Sequence, residues 1–405
     1  MEIKSVVPDR VPGPAKLFLI ATALNGIGNG MINVVFQLYL ISLGFLSAAI
    51  GAMTMMNSLG AVILTIPAGI LADRYGKKKV MICGFIMIGF SVWLFLVAKT
   101  MEMFIFTFLL IGLSNATFVV LTPLYSSFFD NDDMDRAFGL HGFISVITMS
   151  AGSVIGFIPP FLVKNYGFSL QSSYWTVIAI AGAVILVQMP FYLMSIREVV
   201  NHERRNGFKF TLKSRGVVSK FFLLSLISNI GGNVFFNLFP FYVNRRFGIE
   251  SDALGTLFFV SNFVSAGANA LAPRFSHKLG ALKTIAVVMG LATPFYLMIP
   301  LAPSFAWLSA LYIIRLGFRT IADPLMSSLF MRMLHEDEKS TGNSIRQMAF
   351  QSGGVIAPWI GGQLMETSLD LPIFLGTGLY ATFVPLSYML LRDEKEIVVE
   401  PAMPS

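Results

Sequence analysis

The sequence predicts an all-α membrane protein of twelve transmembrane helices in two pseudo-symmetric six-helix bundles, and three observations carry that expectation. Of 405 residues, 55% are hydrophobic and only 13% charged, a balance that suits lipid as the surrounding solvent. Apolar runs of ~18 or more residues, long enough to cross ~30 Å of hydrocarbon as helices, recur along the whole chain. The second half also repeats the first about 201 to 204 positions later.

The runs fall near 17–42, 48–72, 79–98, 102–128, 136–163, 174–194, 218–243, 252–273, 281–301, 305–331, 340–366 and 370–391. The cations alternate with them. Lys4, Arg10 and Lys16 precede the first run; Arg74, Lys77, Lys78 and Lys79 separate the second from the third; Arg136 precedes the fifth. Seven more lie between the sixth and seventh or on their borders, and others follow the eighth, tenth and twelfth. Lys99, Lys164, Arg245 and Arg246 alone occupy the opposite set of loops. By the positive-inside rule both termini are cytoplasmic and the chain is a multi-pass protein of the plasma membrane. The net charge of +7 is scattered over these inner loops instead of forming one stripe, which points to anionic lipid headgroups and not to nucleic acid.

The first run is of span length, lacks a small-residue cleavage site and belongs to the repeat, so it is expected to stay as the first helix. The one long hydrophilic stretch divides the chain into bundles at 1–194 and 218–405, joined by a cytoplasmic linker at 195–217. The single Cys83 excludes an intrachain disulfide, and its apolar neighbours predict a buried, inert thiol.

The repeat is clearest in its polar residues. Asn25, Asn29 and Asn33 recur every four residues in an apolar span, and Asn229, Asn233 and Asn237 do the same in the second half. Each triplet makes one polar stripe on one helix face. A shift of 204 carries Gly44 onto Gly248 and Gly76 onto Gly280, and a shift of 201 carries Pro123-Leu-Tyr-Ser-Ser-Phe-Phe129 onto Pro324-Leu-Met-Ser-Ser-Leu-Phe330.

Between the second and third spans the chain reads Gly69-Ile-Leu-Ala-Asp-Arg-Tyr-Gly-Lys-Lys-Lys79. Gly69 and Gly76 suit close packing and a tight turn, and Asp73 suits the capping of a helix start. At these residues the chain resembles the major facilitator superfamily, whose signature here is Gly-x-Leu-Ala-Asp-Arg-x-Gly-Arg-Lys. Gly69, Leu71, Ala72, Asp73, Arg74, Gly76 and Lys78 match, with Lys77 in place of the usual Arg. With the twelve spans and the halfway repeat, the resemblance covers nearly the whole chain. It implies a latch of Gly69, Asp73, Arg74, Gly76 and Lys77, with Asp130 as the nearest partner for Lys77, that closes when the cavity faces outward. The alternative is an ordinary positive-inside turn. In the copy His277 and Lys278 replace Asp73 and Arg74, so the second latch is degenerate.

A parallel repeat places the first and seventh helices across a central cavity, with both Asn stripes either binding solute and water there or joining packed helices. The tenth helix carries Arg315, Arg319 and Asp323 at four-residue spacing, and the eleventh adds Arg346, Gln347 and Gln351. Charges at a span centre cost about 2.5 to 3.5 kcal/mol, so these groups should face water or each other. Arg319 and Asp323 either form a plain i,i+4 ion pair or, as the sharper reading, couple transport to protons, with Arg315 toward the cavity. His141 is either a packing residue or a further proton-coupling candidate. Gly152 to Pro160 and Gly353 to Gly362 loosely match the Gly-Pro-rich motif of proton-coupled drug exporters, and their glycines four apart equally suit tight helix contact. Position 108, four before Gly112, is Phe where such exporters carry Arg.

No phosphate-binding loop, metal-ligand spacing or catalytic constellation is visible, so no cofactor, no metal and no enzymatic activity are expected. The reading is a secondary transporter, acting as a monomer, that exports small amphipathic or drug-like organic molecules against protons by alternating access. Uptake or facilitated passage of an anionic or polar metabolite is the alternative, and a non-transporting receptor or scaffold with a collapsed interior is the alternative of another class.

Overall fold

The computed structural model describes residues 10–129, 134–195, 214–334 and 339–392. Most of the expected linker, and Asp130, lie outside the described residues. Twelve helical passages run through the rest. In the first half they are α1 (Gly13–Ser42), α2 (Ser47–Tyr75), α3 (Lys77–Val97), α4 (Met101–Thr117, prolonged through Phe118–Val120 and Leu121–Ser126), α5 (Met134–Ser153, prolonged through Val154–Phe157 and Ile158–Tyr166) and α6 (Leu170–Ser195). In the second they are α7 (Arg215–Phe236, then Phe239–Phe247), α8 (Ser251–Leu279), α9 (Ala281–Leu297, then Ile299–Leu301), α10 (Phe305–Arg332), α11 (Lys339–Thr367) and α12 (Leu371–Leu391). Nine of these passages among the described residues are long and apolar enough to cross a membrane, and Met101–Thr117 is apolar but short on its own.

The repeat is written into the breaks between helices. Gly44 and Gly248 take φ of 88° and 67°, and Gly76 and Gly280 take 98° and 79°, a region closed to side chains with a Cβ. Thr100 accepts a hydrogen bond from the Met103 N–H at the start of α4, and Ser304 accepts one from the Trp307 N–H at the start of α10, each at 3.5 Å. Packing follows the same two-fold logic. α1 packs on α5 and α6 as α7 does on α11 and α12, and α2 on α4 as α8 on α10.

Glycines set these approaches. A Cβ on Gly30 of α1 would stand 2.1 Å from the Met149 carbonyl oxygen of α5, and one on Gly112 of α4 would stand 1.9 Å from that of Asn57 in α2. The tight-contact reading of the glycine motifs in α5 and α11 is thus the one the packing supports.

The bundles meet through α2 on α11 and through α5 on α8. The Ser47 hydroxyl donates to the Gly362 carbonyl at 2.9 Å, and the Ser251 hydroxyl donates to the Gly156 carbonyl at 2.7 Å, a pair related by the repeat. Gly51 and Gly255 repeat it too, their Cβ positions lying 2.3 Å from the Pro358 oxygen and 2.5 Å from the Ser153 oxygen. The Ala48 N–H adds a bond to Glu366 at 3.2 Å. These hydrogen bonds between the halves lie at the face where α1 ends, called the far face below.

Toward the opposite, terminal face, the apolar cluster around Phe18, Phe85, Tyr125 and Tyr192 contains residues of the first half alone, whereas the larger cluster draws on both halves. The described hydrogen bonds thus close the molecule at the far face.

One local expectation is corrected. Cys83 is exposed, because Met81, Gly84, Phe85 and Ile88 form the inward stripe of α3 and leave residue 83 on its outer flank. The backbone of Asp73 falls in the last turn of α2, and Gly76 takes the N-cap position of α3.

Candidate functional site

α10 supplies a charged core in the second bundle. Arg315 is 3% exposed, and its Cζ lies 3.7 Å from the ring centroid of Phe236 in α7 and 5.1 Å from those of Tyr296 in α9 and Tyr380 in α12. Its Nη2 donates to the Tyr380 hydroxyl, while its Nε has no hydrogen-bond partner. A desolvated cation is held here by aromatic faces instead of a carboxylate. One turn further along α10, Arg319 donates through Nε to the same Tyr380 hydroxyl at 3.2 Å and pairs through Nη1 with Asp323. The expected i,i+4 ion pair is present.

The Asp323 side chain remains 59% exposed and lines a cavity of ≈ 190 Å³ enclosed by α7, α9, α10, α11 and α12. Its polar wall is Arg319, Asp323, Arg346 and the hydroxyls of Ser225, Ser228 and Ser327. Met289, Met326, Phe350 and Phe383 make the apolar wall. Such a lining can hold a solute with one polar end and one greasy end.

The Asn stripes are asymmetric. In α1, Asn25 is half-buried and Asn29 and Asn33 are exposed. The Asn29 Nδ2 donates to the Asn25 carbonyl at 2.9 Å and to its Oδ1 at 2.7 Å. In α7 the Asn233 Nδ2 donates to the Asn229 Oδ1 at 2.8 Å, and Asn229 is buried against Gly353 of α11, where a Cβ would stand 2.8 Å from that oxygen. Asn229 is thus buried at the α7–α11 contact, while Asn233 is half-buried and Asn237 sits at a break in α7.

A residue the sequence reading passed over lies level with the first stripe. Phe36 of α1 and Phe108 of α4 meet with ring centroids 6.0 Å apart. Asn29 and Asn115 each lie seven residues from that contact, about two turns toward the terminal face, on the same side of their antiparallel helices. Both are exposed at the same level of the first bundle. Asn115 escaped notice because no second amide repeats it at helical spacing. The repeat held the signal: a shift of 204 carries Asn115 onto Arg319. Asn115→Leu is expected to weaken solute binding about as much as Asn29→Leu, roughly tenfold each. The double variant should lose less than the product, as measured by equilibrium binding, because the two amides serve one ligand.

His141 is placed apart from the charged core. Its ring packs on Tyr125 and Phe18, with centroids 5.2 and 5.8 Å away, in the terminal half of the first bundle. Among the described residues nothing joins it to Arg319 or Asp323. Around the loop after α2, Gly76 makes the turn, Arg74 lies over the Tyr75 ring at 5.4 Å, and Lys77 opens α3. Gly69 has open space where a Cβ would be, so no close packing uses it in this state.

Comparisons with known proteins agree with this architecture. The sequence profile of the Major Facilitator Superfamily matches residues 18–358. Multidrug resistance protein 1 of Bacillus subtilis (strain 168) is 23% identical over 369 residues, covering 89% of this chain and 92% of that protein. An uncharacterized MFS-type transporter of Methanocaldococcus jannaschii is 24% identical over 314 residues, 74% of this chain and 77% of that one. Among solved structures, the nucleoside transporter NupG superposes with a TM-score of 0.72 at 16% identity, over 94% of this chain and 99% of that one. A bacterial homologue of the human lysosomal transporter Spinster, inward-facing and unoccupied, superposes with a TM-score of 0.67 at 14% identity, over 94% of both chains. With two related six-helix bundles around a central passage and a profile match across most of its length, the chain belongs to the major facilitator superfamily of membrane transporters.

Proposed function

We propose that this transporter exports small amphipathic organic molecules in exchange for protons, working as a monomer in the plasma membrane with both termini cytoplasmic. The observation that carries the reading is the Arg319–Asp323 pair beside a mixed polar and apolar cavity of the second bundle, in a molecule whose halves are bonded together at the far face. With the termini cytoplasmic, the bonded face is the outer one, and a solute for export enters from the inner one. The mixed polar and apolar cavity suits an amphipathic solute, and the similarity to Multidrug resistance protein 1 supports the same substrate class. Asp323 is the proton carrier of this scheme: neutralised, it lets go of Arg319, and ionised, it holds it. The stretch from Gly69 to Lys77, with Asp130, is the inner latch that engages when the bundles rock to close the terminal face.

An anionic solute is the second reading, favoured by Arg315 and Arg319 standing beside one carboxylate. One experiment separates the two. Purified protein in vesicles with an imposed pH gradient is given matched amphiphiles bearing an amine or a carboxylate. Proton antiport predicts gradient-driven accumulation of the amine that collapses when a protonophore is added. Transport of the carboxylate alone would favour the second reading, and transport indifferent to the gradient would leave a facilitator.

A further inference from the structure

The break in α7 falls at Pro240, which has no N–H to continue the helix, and a side chain from the other bundle fills the rung beside it. α1 runs unbroken from Gly13 to Ser42, whereas its repeat partner α7 is interrupted between Phe236 and Phe239. In a continuous helix the Phe241 N–H would donate to the Asn237 carbonyl. Here the Phe241 N–H donates instead to the Oε1 of Gln37 at 3.2 Å, and the Asn237 carbonyl accepts from the Nε2 of the same side chain. One amide from α1 has been inserted into one rung of α7 and satisfies both of its ends. Gln37 is 2% exposed, so neither backbone group has water as a substitute. An inserted side chain is one of the few physical causes of a sharp helix interruption.

The repeat makes the device one-sided. A shift of 204 carries Gln37 onto Phe241, so α7 has a phenylalanine where α1 has the amide, and α1 stays intact. The site lies at the far face, next to the Ser47–Gly362 and Ser251–Gly156 seams that seal the passage. Opening that face must draw α1 away from α7. The two freed groups of α7 are then in register to bond each other, which costs no unsatisfied polar group.

We propose that Gln37 is a positioning residue of the far gate, whose amide holds the Asn237–Phe241 rung of α7 open when that face is shut and whose withdrawal lets that rung close as the face opens. This rests on alternating access, the reading given under the proposed function. Each hydrogen bond of the inserted amide favours the shut state, and removing both leaves α7 able to satisfy itself only in the open one.

The test uses the full chain in a Cys83→Ser background with spin labels on Leu46→Cys and Leu301→Cys, exposed positions at the far face of opposite halves. Pulsed electron–electron distance measurements in lipid report the ratio of far-open to far-shut molecules. Gln37→Ala is expected to raise that ratio roughly tenfold, since two buried hydrogen bonds are lost from one state alone. Gln37→Glu keeps the acceptor for Phe241 but cannot donate to Asn237, and is expected to fall between. Both variants should unfold at the parent temperature, because the Asn237 carbonyl and the Phe241 N–H can then bond each other directly. A parent that shows two distances with an unchanged ratio in both variants overturns the role of Gln37 and leaves alternating access standing. A parent showing one distance under every solute and pH condition overturns both.

Discussion

Gly361→Val is expected to yield protein that fails to hold its second bundle together, seen as loss of the monodisperse peak in detergent and of a cooperative thermal transition. A Cβ at that position would stand 1.8 Å from the Val234 carbonyl oxygen of α7. The obstacle is backbone, so no rotamer change relieves it, and α7 and α11 must separate along the whole seam. In lipid there is no hydrophobic force to restore the contact, since association rests on close van der Waals approach. The penalty therefore exceeds the ~1–3 kcal/mol typical of over-packing a core that can relax. The first bundle offers the comparison. There Gly30 and Gly152 face each other across α1 and α5, whereas Val234 holds the position of Gly30 in the repeat, so no glycine of α7 faces Gly361. Gly69→Ala is the control, because open space surrounds that position in this state and stability should not move.

That contrast shows how far the fold was legible from residues alone. Period, length and apolarity announced the helices because nothing but a helix satisfies its own backbone in hydrocarbon. The glycines at 44, 76, 248 and 280 announced the turns, since their positive φ leaves no alternative residue. Contacts made by small residues were legible only as types. Gly69 and Gly361 look alike in a sequence, yet one meets open space and the other a carbonyl, because the difference lies in which neighbour the tertiary packing brings near. The same limit misplaced Cys83, whose apolar neighbours line both the inward and the outward flank of α3.

The site divided along similar lines. Arg315, Arg319 and Asp323 stood out because charge is rare in a span and their spacing put them on one face, and the ion pair is where that spacing places it. The three rings around Arg315 come from α7, α9 and α12, and no local pattern brings them together. The Asn stripes were read as equivalent by symmetry, and the structure makes them unlike: Asn229 is buried against Gly353, while Asn29 is exposed. Gln37 drew no notice, because a lone buried amide acquires meaning only from the broken rung of a helix in the other half.

Asp323→Asn is expected to abolish gradient-driven accumulation in vesicles, by about 30-fold or more, while exchange of labelled for unlabelled solute across the same membrane survives. The fold should tolerate the change. Arg319 keeps its bond to the Tyr380 hydroxyl at 3.2 Å, and an asparagine amide oxygen can still accept from the guanidinium. Asp323 is more than half exposed to the cavity, so the loss of its charge carries little of the penalty that breaking a fully buried pair would. The groups that face it are Arg319 from its own helix, Arg346 from α11 and the hydroxyls of Ser225 and Ser228 from α7. None of these can take over a proton from water at neutral pH. On the proposed scheme the variant loses the switch between a carboxylate that grips Arg319 and a neutral acid that does not, and with it the link between proton and solute. Exchange on that scheme needs only the rocking of the bundles and a solute site, neither of which the substitution removes. Should accumulation persist in Asp323→Asn at parental level, the proton path runs elsewhere, and His141, set among Phe18 and Tyr125 in the first bundle, becomes the next position to neutralise.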